Sequence, residues 1–485
     1  MNILVIDVGT SSMRGILFDR QAVELQKHQI FYSPDYINDQ QVEQDPIIWK
    51  NALIEICRVI RTSTANSIDA LAITSQRSSV LRLDHNNEPI GPAIMWQDKR
   101  TVAACAELSA YNDIFIKKTG SRVNPVYSAS KINWFRKYQP DIDGRTSKYV
   151  VIPDYLTYIM TGSLVTDHTY GSRSLLMNIR QMAWDDDLLA LWEVPRTKLL
   201  DLVPPGSKTG SVYSEFSRAT GLAEGTPVYT AGGDQQCSAI GQGVIEQGSA
   251  QITAGSGAFI LSACDQFPDD FKGDIILGAS AIAGRYVLES SILTCSSAFN
   301  WYGREFYPET SHGDFSKIDQ AISDAMHHDH RLIVLPFFQG RGTPDWNSTA
   351  TASFHNVSLS TTRGDFALAL LEGIGYEINE NLRVASQYLH GLDQIAISGG
   401  LTKNPVFCQI VSDITNFNLP RYASAETTAI GAWIIASVAT GLHRTVPEAF
   451  KATGQTRQTQ HYQPVNADRY LSLKSEYATL YKKLY

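Results

Sequence analysis

The opening of the chain, residues 1–19, constrains its fold more strongly than any other stretch. Two apolar runs, residues 3–6 and 15–18, flank a short segment rich in glycine, threonine and serine. Apolar runs of this length around a turn-forming connection are typical of two antiparallel strands. We therefore expect the chain to begin with a β-hairpin whose turn is polar.

This turn contains the groups that a phosphate-binding turn requires. They are Asp7, Gly9, Thr10, Ser11, Ser12 and Arg14. Gly9 permits a tight turn, the hydroxyls lie beside free backbone N–H groups, and Arg14 adds positive charge. Asp7 ends an apolar strand, where an uncompensated carboxylate is costly, so we expect it to hold Mg²⁺ through water. An ordinary hairpin with a polar turn is the alternative, and the lack of Gly-Lys-Ser/Thr excludes a P-loop.

A second stretch, residues 251–262, repeats this pattern about halfway along the chain. Apolar runs lie on either side of Gly255, Ser256 and Gly257. Two such hairpins indicate a duplicated architecture in which each half contributes one phosphate-binding turn.

Length and composition limit the class of protein. A chain of 485 residues can form two domains with separate cores, which we expect at 1–243 and 244–485. The net charge of −8 argues against a nucleic-acid partner, and no apolar run is long enough to span a bilayer. Six scattered cysteines without a CxxC pair, and an N-terminus that enters a strand directly, predict a cytoplasmic protein without a signal peptide.

Three further turns carry candidate functional groups. Asp234 follows a strand that ends in two glycines, which is a good position for a general base, with a helix N-cap as the alternative. Gln76 and Arg77 join two strand-like runs, 70–73 and 79–83, which we expect to pair; a solvated surface turn is the alternative. A strand ending in Gly399 and Gly400 precedes a helix that Asn404 caps, where a nucleotide could approach bare backbone.

Two other segments are less informative. Residues 20–45 are polar and are expected to be irregular, with a helix beginning at Pro46 behind the cap Asp45. The cluster of His327, His328 and His330 has the residue types of a metal site, but no second set of ligands is visible, so we do not expect a metal there.

Taken in order along the chain, these motifs resemble those of the FGGY carbohydrate kinases. The matching positions are residues 7–14, 76–77, 96–101, 127–131, 233–236, 255–257, 340–346, 399–404 and 429–432. The resemblance implies an α/β protein with two duplicated actin/hexokinase-like (ribonuclease H-like) ATPase domains around a central cleft. It also implies ATP and Mg²⁺ as cofactors and a small polyol or sugar as the substrate.

The resemblance also assigns roles to individual residues. It makes Asp234 the general base, and it implies that Asp7 and Asp234 provide the carboxylates on the metal side. The residues that it implies for the polyol pocket are Gln76, Arg77, Ser78, Trp96, Tyr127, Asp234, Gln235 and Phe259. The residues that it implies for phosphate and nucleotide binding are Gly9, Thr10, Ser11, Ser12, Arg14, Gly255, Ser256, Gly257, Asn300, Gly340, Gly400 and Asn404.

One departure leaves the substrate open. The motifs are most similar to those of the glycerol kinases, which have Glu directly after the Gln-Arg pair, whereas this chain has Ser78. The Met-His that xylulokinases have near this point is absent as well. We expect an ATP-dependent kinase acting on a primary hydroxyl of a small polyol or open-chain ketose, with glycerol kinase and pentulokinase as alternatives. A non-catalytic nucleotide-binding regulator of the same fold is the alternative of another class, and a homodimer is left open.

Overall fold

The computed structural model describes residues 1–309, 315–327, 331–422, 426–456 and 459–485. The chain forms two compact units. Unit 1 consists of Met1–Ile245, Asp265–Val287 and Glu426–Thr456, and unit 2 of Glu246–Cys264, Leu288–Ala425 and Arg457–Tyr485. The units therefore differ from the consecutive halves 1–243 and 244–485, because two segments from the second half of the chain pack with the first unit.

The strands are numbered in chain order. They are β1 (Ile3–Val8), β2 (Ser12–Phe18), β3 (Glu24–Phe31), β4 (Asp35–Tyr36), β5 (Val42–Gln44), β6 (Ala70–Ser75), β7 (Val80–Leu83), β8 (Ala93–Ile94), β9 (Lys148–Val151), β10 (Val165–Asp167), β11 (Met177–Asn178), β12 (Ala183–Trp184), β13 (Asp201–Val203), β14 (Lys208–Ser211), β15 (Pro227–Gly233), β16 (Ser249–Ala254), β17 (Ala258–Cys264), β18 (Ile276–Ala279), β19 (Tyr286–Ile292), β20 (Ile333–Leu335), β21 (Ser353–His355), β22 (Gln394–Ser398), β23 (Leu419–Tyr422) and β24 (Thr459–Tyr462).

The helices are numbered in the same way. They are α1 (Pro46–Ser63), α2 (Val102–Leu108), α3 (Asn112–Thr119), α4 (Ser128–Tyr138), α5 (Pro140–Arg145), α6 (Ile152–Thr161), α7 (His168–Ser172), α8 (Asp186–Leu191), α9 (Ser214–Thr220), α10 (Asp234–Gly241), α11 (Ser296–Phe306), α12 (Ser316–Ala325), α13 (Arg363–Leu389), α14 (Pro405–Thr415), α15 (Thr427–Ala439), α16 (Val446–Ala452) and α17 (Ala467–Leu484).

The main sheet of unit 1 is built around the predicted hairpin. Its strand order is β14-β15-β6-β1-β2-β3, with β1 antiparallel to β2 and parallel to β6. All six residues of β1 are buried, because both faces of the sheet are covered. Leu4 and Ile6 belong to the core that includes Trp49 of α1, whereas Ile3 and Val5 pack in a second core with α15. The hairpin prediction is thus confirmed.

Two expectations about the first hundred residues are wrong. Residues 20–45 are not irregular, since they contain β3, β4 and β5. Strands β6 and β7 both exist, but they do not pair with each other. β6 lies in the main sheet, whereas β7 belongs to a separate sheet with the order β4-β5-β8-β7-β9. The segment that joins them, which contains Gln76 and Arg77, therefore passes from one sheet to another.

Unit 2 contains the predicted second hairpin. β16 is antiparallel to β17 and parallel to β22, as β1 is to β2 and β6. The register matches as well, since Thr253 lies two residues before Gly255, as Asp7 lies two residues before Gly9. Because the two hairpins and their parallel neighbours correspond strand by strand, the predicted duplication is confirmed at the level of the strands.

A buried ion pair in unit 2 fixes the segment that follows Gly340. Arg341 donates two hydrogen bonds to Glu377 of α13, from Nε and Nη2, each at 2.9 Å. The hydroxyl of Tyr477, on α17, donates to the same carboxylate at 2.8 Å. A bidentate pair of this kind defines both distance and orientation. It therefore holds this segment against two helices.

Helices α10 and α15 of unit 1 touch through their backbones. A Cβ atom added at Gly431 would lie 1.7 Å from the carbonyl oxygen of Cys237, and one added at Gly241 would lie 1.9 Å from that of Thr427. Only glycine allows such an approach. Both helices thus depend on glycine at their contact.

Among the residues that the structure describes, no helix combines the length and the apolar character needed to cross a membrane.

Candidate active site

The carboxylate of Asp7 lies at the end of β1, on the face that α15 covers. The side chain is buried, and its Oδ2 accepts hydrogen bonds from Nε and Nη2 of Arg14 at 2.9 and 2.8 Å. Burial raises the pKa of Asp7, and the guanidinium of Arg14 acts in the opposite direction. Asp7 and Arg14 face each other across the β1–β2 ladder, so the hairpin itself creates the pair.

Arg14 has a second carboxylate partner that sequence reasoning did not find. Its Nη1 lies 2.9 Å from Oε2 of Glu426, the residue that precedes α15. Lys27 of β3 contacts the other oxygen of Glu426. Lys27 and Glu426 are 399 positions apart in the sequence, so no local pattern could have indicated this cluster.

The turn between β1 and β2 is closed by backbone hydrogen bonds. The N–H of Gly9 donates to the carbonyl of Ser12 at 2.8 Å, and Tyr32 donates its hydroxyl to the carbonyl of Gly9 at 2.9 Å. Ser12 accepts from the side chain of Gln29 at 3.0 Å, while Ser11 is exposed. These hydrogen bonds hold the turn, which still presents the hydroxyl of Ser11 to solvent.

Gln76 and Trp96 both contact this turn. The side chain of Gln76 donates to the carbonyl of Gly9 at 3.3 Å, and the indole N–H of Trp96 donates to the hydroxyl of Thr10 at 3.0 Å. Ser79 connects the two, because its hydroxyl donates to Gln76 and accepts from the backbone of Trp96. The Trp96 residue nevertheless remains 39% exposed, so its ring is open to a ligand.

Arg77 lies across Gly233 and reaches Asp234. A Cβ atom at Gly233 would be 2.7 Å from Cδ of Arg77, so glycine is required for this path. Nε of Arg77 lies 3.5 Å from Oδ1 of Asp234, and Nη1 donates to Oε1 of Gln236 at 3.4 Å. The Asp234 side chain is 27% exposed. Its carboxylate therefore lies beside a buried cation and is still accessible to solvent.

Asp234 is the first residue of α10 and not its cap. Gly233 occupies the N-cap position, and Oδ1 of Asp234 accepts from the N–H of Gln235 at 2.7 Å. The side chain of Gln235 is half-buried beside it. The alternative, in which Asp234 is only the N-cap residue of α10, is therefore wrong.

Ser78 and Tyr127 are more enclosed than a residue lining an open pocket. Ser78 is 2% exposed and has a positive φ of 71°, and its hydroxyl donates to the carbonyl of Arg173 at 3.1 Å. Tyr127 is also buried, with the guanidinium carbon of Arg173 at 4.8 Å from its ring centroid. Arg173 was not identified from the sequence, although a buried arginine among small residues is an unusual feature.

The second glycine turn, in unit 2, is held by the start of α11. The N–H of Gly255 donates to the carbonyl of Gly257 at 2.9 Å. The carbonyl of Ser256 accepts from the N–H of Cys295 at 2.7 Å, and that of Gly255 from the N–H of Ser296 at 2.9 Å. The hydroxyl of Ser297 also donates to the carbonyl of Ser256 at 2.8 Å. The start of α11 thus holds the turn through backbone groups of the turn.

The other predicted residues of unit 2 are distributed over several elements. Phe259 lies on β17 and is 36% exposed, and Asn300 is an exposed residue of α11. Gly340 has a positive φ of 84°. Gly400 begins a short 3-10 turn, and a Cβ atom added to it would meet no atom within 4 Å. This open surface is consistent with a ligand lying against the backbone.

Asn404 is the cap of α14, as the sequence predicted. Its Oδ1 accepts from the N–H groups of Val406 and Phe407 at 2.9 and 3.2 Å. Its Nδ2 donates to Oδ1 of Asp319 at 2.6 Å. Since both ends of the amide are used within the protein, a direct contact with the nucleotide would compete with these bonds, and this role stays a prediction.

The donor set on the metal side fits Mg²⁺ that is bound mainly by phosphate. Asp7 is a single buried carboxylate beside a hydroxyl-rich turn, and Mg²⁺ is usually held by one or two carboxylates together with phosphate oxygens and water. The described residues contain no group of three or more His, Cys, Asp or Glu side chains that could hold a metal alone. Of the histidine cluster, residues 328–330 lie outside the described residues.

Two models of known families match this chain. The FGGY family of carbohydrate kinases, N-terminal domain, matches residues 2–241, and the C-terminal domain of the same family matches residues 250–440. This chain belongs to the FGGY family of carbohydrate kinases. The family resemblance found in the sequence is confirmed, and an FGGY kinase is a phosphotransferase.

Individual relatives of this FGGY kinase cover nearly the whole chain. The glycerol kinase of Oceanobacillus iheyensis is 30% identical over 473 residues, which are 93% of this chain and 91% of that protein. The glycerol kinase of Bacillus subtilis is 30% identical over 464 residues, which are 90% of each.

Solved structures confirm the fold class. The crystal structure of xylulose kinase from Rhodospirillum rubrum has a TM-score of 0.93 at 23% identity and covers 100% of this chain and 99% of that one. Plasmodium falciparum glycerol kinase, solved with ADP, has a TM-score of 0.89 at 26% identity and covers 100% of this chain and 97% of that one. The protein therefore has the two-domain FGGY kinase fold of the actin/hexokinase type.

Proposed function

We propose that this FGGY kinase transfers the γ-phosphoryl group of ATP to a primary hydroxyl of a small polyol or open-chain ketose. The observation that carries the proposal is the contact between Arg77 and the solvent-accessible carboxylate of Asp234. Trp96 is hydrogen-bonded to Thr10 of the first glycine turn. It is connected through Ser79 to Gln76, the residue before Arg77. A base, a cation and an exposed aromatic ring beside a phosphate-type turn are the parts that a polyol kinase needs.

In the proposed reaction Asp234 is the general base. It accepts the proton of the substrate hydroxyl while the hydroxyl oxygen forms a bond to the γ-phosphorus. The bond between that phosphorus and the β–γ bridging oxygen breaks, and ADP leaves with the electron pair. Arg77 holds the neighbouring substrate hydroxyl and fixes the direction of Asp234. Most of the catalysis comes from this positioning, because phosphoryl transfer needs little other chemistry from the protein.

The phosphate side is assigned to the two glycine turns. Arg14 and the hydroxyls of Thr10 and Ser12 provide charge and hydrogen bonds for phosphate in unit 1, and the backbone around Ser256 does so in unit 2. Asp7 would hold Mg²⁺, which supplies positive charge for the phosphate oxygens when it is bound. The nucleotide in the related Plasmodium structure supports ATP as the phosphoryl donor.

For the acceptor, we propose a four- or five-carbon polyol or ketose in preference to glycerol. The glycerol kinases among the relatives support a polyol. Ser78, however, offers no carboxylate, and its hydroxyl already donates to the carbonyl of Arg173. Compared with a pocket that has Glu at this position, a glycerol hydroxyl here would lack one acceptor, and an unsatisfied group costs about 1–3 kcal/mol. A longer chain can form its polar contacts elsewhere in the pocket.

A coupled assay of ADP release tests this proposal directly. Glycerol, erythritol, tetruloses and pentuloses are compared with the purified protein and Mg·ATP. We expect kcat/KM to be higher for at least one four- or five-carbon acceptor than for glycerol. Release of ADP at the same rate with and without every acceptor would contradict a polyol kinase.

The substitution Ser78→Glu tests the specificity argument. Because Ser78 is buried and has a positive φ, the melting temperature of the variant first establishes that it is folded. In the folded variant glutamate would supply the missing charge-assisted acceptor, so the ratio of kcat/KM for glycerol to that for the best longer acceptor should rise by about 10-fold or more. The matched control is Ser78→Ala, which removes the hydroxyl without adding charge and should leave this ratio unchanged. If the native enzyme already prefers glycerol to all longer acceptors, our interpretation of Ser78 is wrong.

The substitution Asp7→Asn tests the division between phosphate and acceptor binding. Loss of the charge on the metal side should raise the Mg²⁺ concentration needed for half-maximal turnover and lower kcat. Binding of the acceptor in the absence of nucleotide, measured by calorimetry, should remain within about 2-fold of the native value because Asp7 is assigned to phosphate only. An equal loss of acceptor affinity would refute that assignment.

A further inference from the structure

The proposed base directly follows a two-glycine link, Gly232 and Gly233, which forms the end of β15. The pairing of β15 with β6 is irregular here, because the register shifts between Thr230 and Gly232. Gly232 also has a positive φ of 107°. Glycine carries no side chain that would restrict its backbone, so the groups around this link must help to fix the direction of Asp234.

Side chains from two other elements bind this link. The carbonyl of Gly232 accepts from the hydroxyls of Thr74 and Tyr170 at 2.8 and 2.9 Å. The N–H of Gly233 donates to the hydroxyl of Thr169 at 2.8 Å. Thr169 and Tyr170 are consecutive residues of α7, so this short helix contacts both the carbonyl and the N–H of the Gly232–Gly233 peptide group.

The hydroxyl of Thr169 can accept from Gly233 only if its own proton points elsewhere. That proton is directed to Oδ1 of Asp167, which also accepts from the N–H of Thr169 at 2.8 Å and caps α7. The other oxygen of Asp167 accepts from the hydroxyl of Thr230. Asp167 is 1% exposed, and although burial raises its pKa, the hydrogen bonds from Thr169 and Thr230 act against that shift.

We propose that Asp167 and Thr169 are positioning residues for phosphoryl transfer: they fix the N–H of Gly233 and so direct Asp234 toward Arg77. The chain of contacts runs from the Asp167 carboxylate through the Thr169 hydroxyl to the N–H of Gly233, the residue that precedes the base. The inference rests on the role proposed for Asp234. Small errors in the position of a base are costly, since a displacement of about 1 Å can reduce the rate about 10²-fold.

The substitution Thr169→Val tests the role of this hydroxyl, with Thr230→Val as its matched control. Both changes keep the shape of the side chain and remove one hydrogen bond to Asp167, but only Thr169 also contacts Gly233. We expect kcat to fall about 10- to 100-fold in Thr169→Val, with KM for ATP within about 2-fold. Thr230→Val should keep kcat within about 3-fold, and Thr169→Ser should restore most of the activity.

Amide hydrogen exchange at Gly233 provides a second measurement that does not depend on turnover. Exchange should be faster in Thr169→Val than in the native protein, and unchanged in Thr230→Val. Equal losses of kcat in the two valine variants, or faster exchange without a loss of kcat, would overturn the inference. If the native protein phosphorylates no acceptor, the proposed role of Asp234 as a base is wrong. In that case, equal exchange rates at Gly233 in the two valine variants would show that Thr169 does not fix the N–H of Gly233.

Discussion

Replacing Asp234 with asparagine should lower kcat by about 10²- to 10⁴-fold, the usual contribution of a general base. Asparagine has nearly the same shape as aspartate, so the start of α10 is preserved. Because it carries no charge, its contact with Arg77 is weaker. Binding of ATP, measured by calorimetry or by displacement of a fluorescent analogue, should change little, because the proposed mechanism uses Asp234 for the acceptor and Asp7 for Mg²⁺. The effect should therefore appear in kcat and kcat/KM for the acceptor.

The structure offers a matched control for this substitution. Asp186 is the first residue of α8, as Asp234 is of α10, and its side chain is 87% exposed. Asp186→Asn therefore makes the same chemical change at the same helical position, away from Arg77 and the glycine turn. We expect its kcat to equal that of the native enzyme. Native turnover in Asp234→Asn would remove Asp234 from the mechanism, and a similar loss in both variants would indicate a general effect of the substitution.

The parts of the fold that sequence reasoning predicted correctly are determined by residues that lie close together in the sequence. Both hairpins, β1–β2 and β16–β17, consist of apolar runs around a glycine turn, and α1 and α14 each begin with a cap followed by proline. Strand β3 was missed because its sequence is mostly polar and lies at the edge of its sheet. Its formation depends on pairing with β2, which its own residues do not indicate.

The pairing of strands was harder to predict than their existence. The two runs around Gln76 and Arg77 are both strands, but each joins a different sheet with partners from distant parts of the chain. The same limitation applies to the compact units, since residues 265–287 and 426–456 pack with the first unit. Neither arrangement is visible in local periodicity, because it depends on contacts between residues far apart in sequence.

The candidate site divides in the same way. Motifs that lie in glycine turns, such as Asp7 with Arg14 and Asp234 after Gly233, could be found from residue types and spacing. Residues that act through long-range contacts were missed. Glu426 pairs with Arg14, and Thr169 binds Gly233, but neither lies near its partner in the sequence. Only the structure reveals such residues, which support the groups that the motifs supply.

The contact between α10 and α15 leads to the largest expected change in stability. Gly431→Ala would place a methyl group 1.7 Å from the carbonyl oxygen and 2.5 Å from the carbonyl carbon of Cys237. Backbone atoms cannot move aside as a flexible side chain can, so the helices must separate. That separation would disturb the core in which Ile430 and Trp433 of α15 are buried. Overpacking commonly costs about 1–3 kcal/mol, and a clash with backbone should reach or exceed the upper end of that range.

We therefore expect Gly431→Ala to lower the melting temperature by about 3–5 °C or more, measured by differential scanning fluorimetry or calorimetry. The matched control is Gly144→Ala in α5, because a Cβ atom added there would meet no atom within 4 Å. That change should leave the melting temperature the same or slightly higher, since alanine is favoured over glycine in a helix by about 1 kcal/mol. A soluble Gly431→Ala protein that melts within about 1 °C of the native protein would show that α10 and α15 do not depend on glycine at their contact.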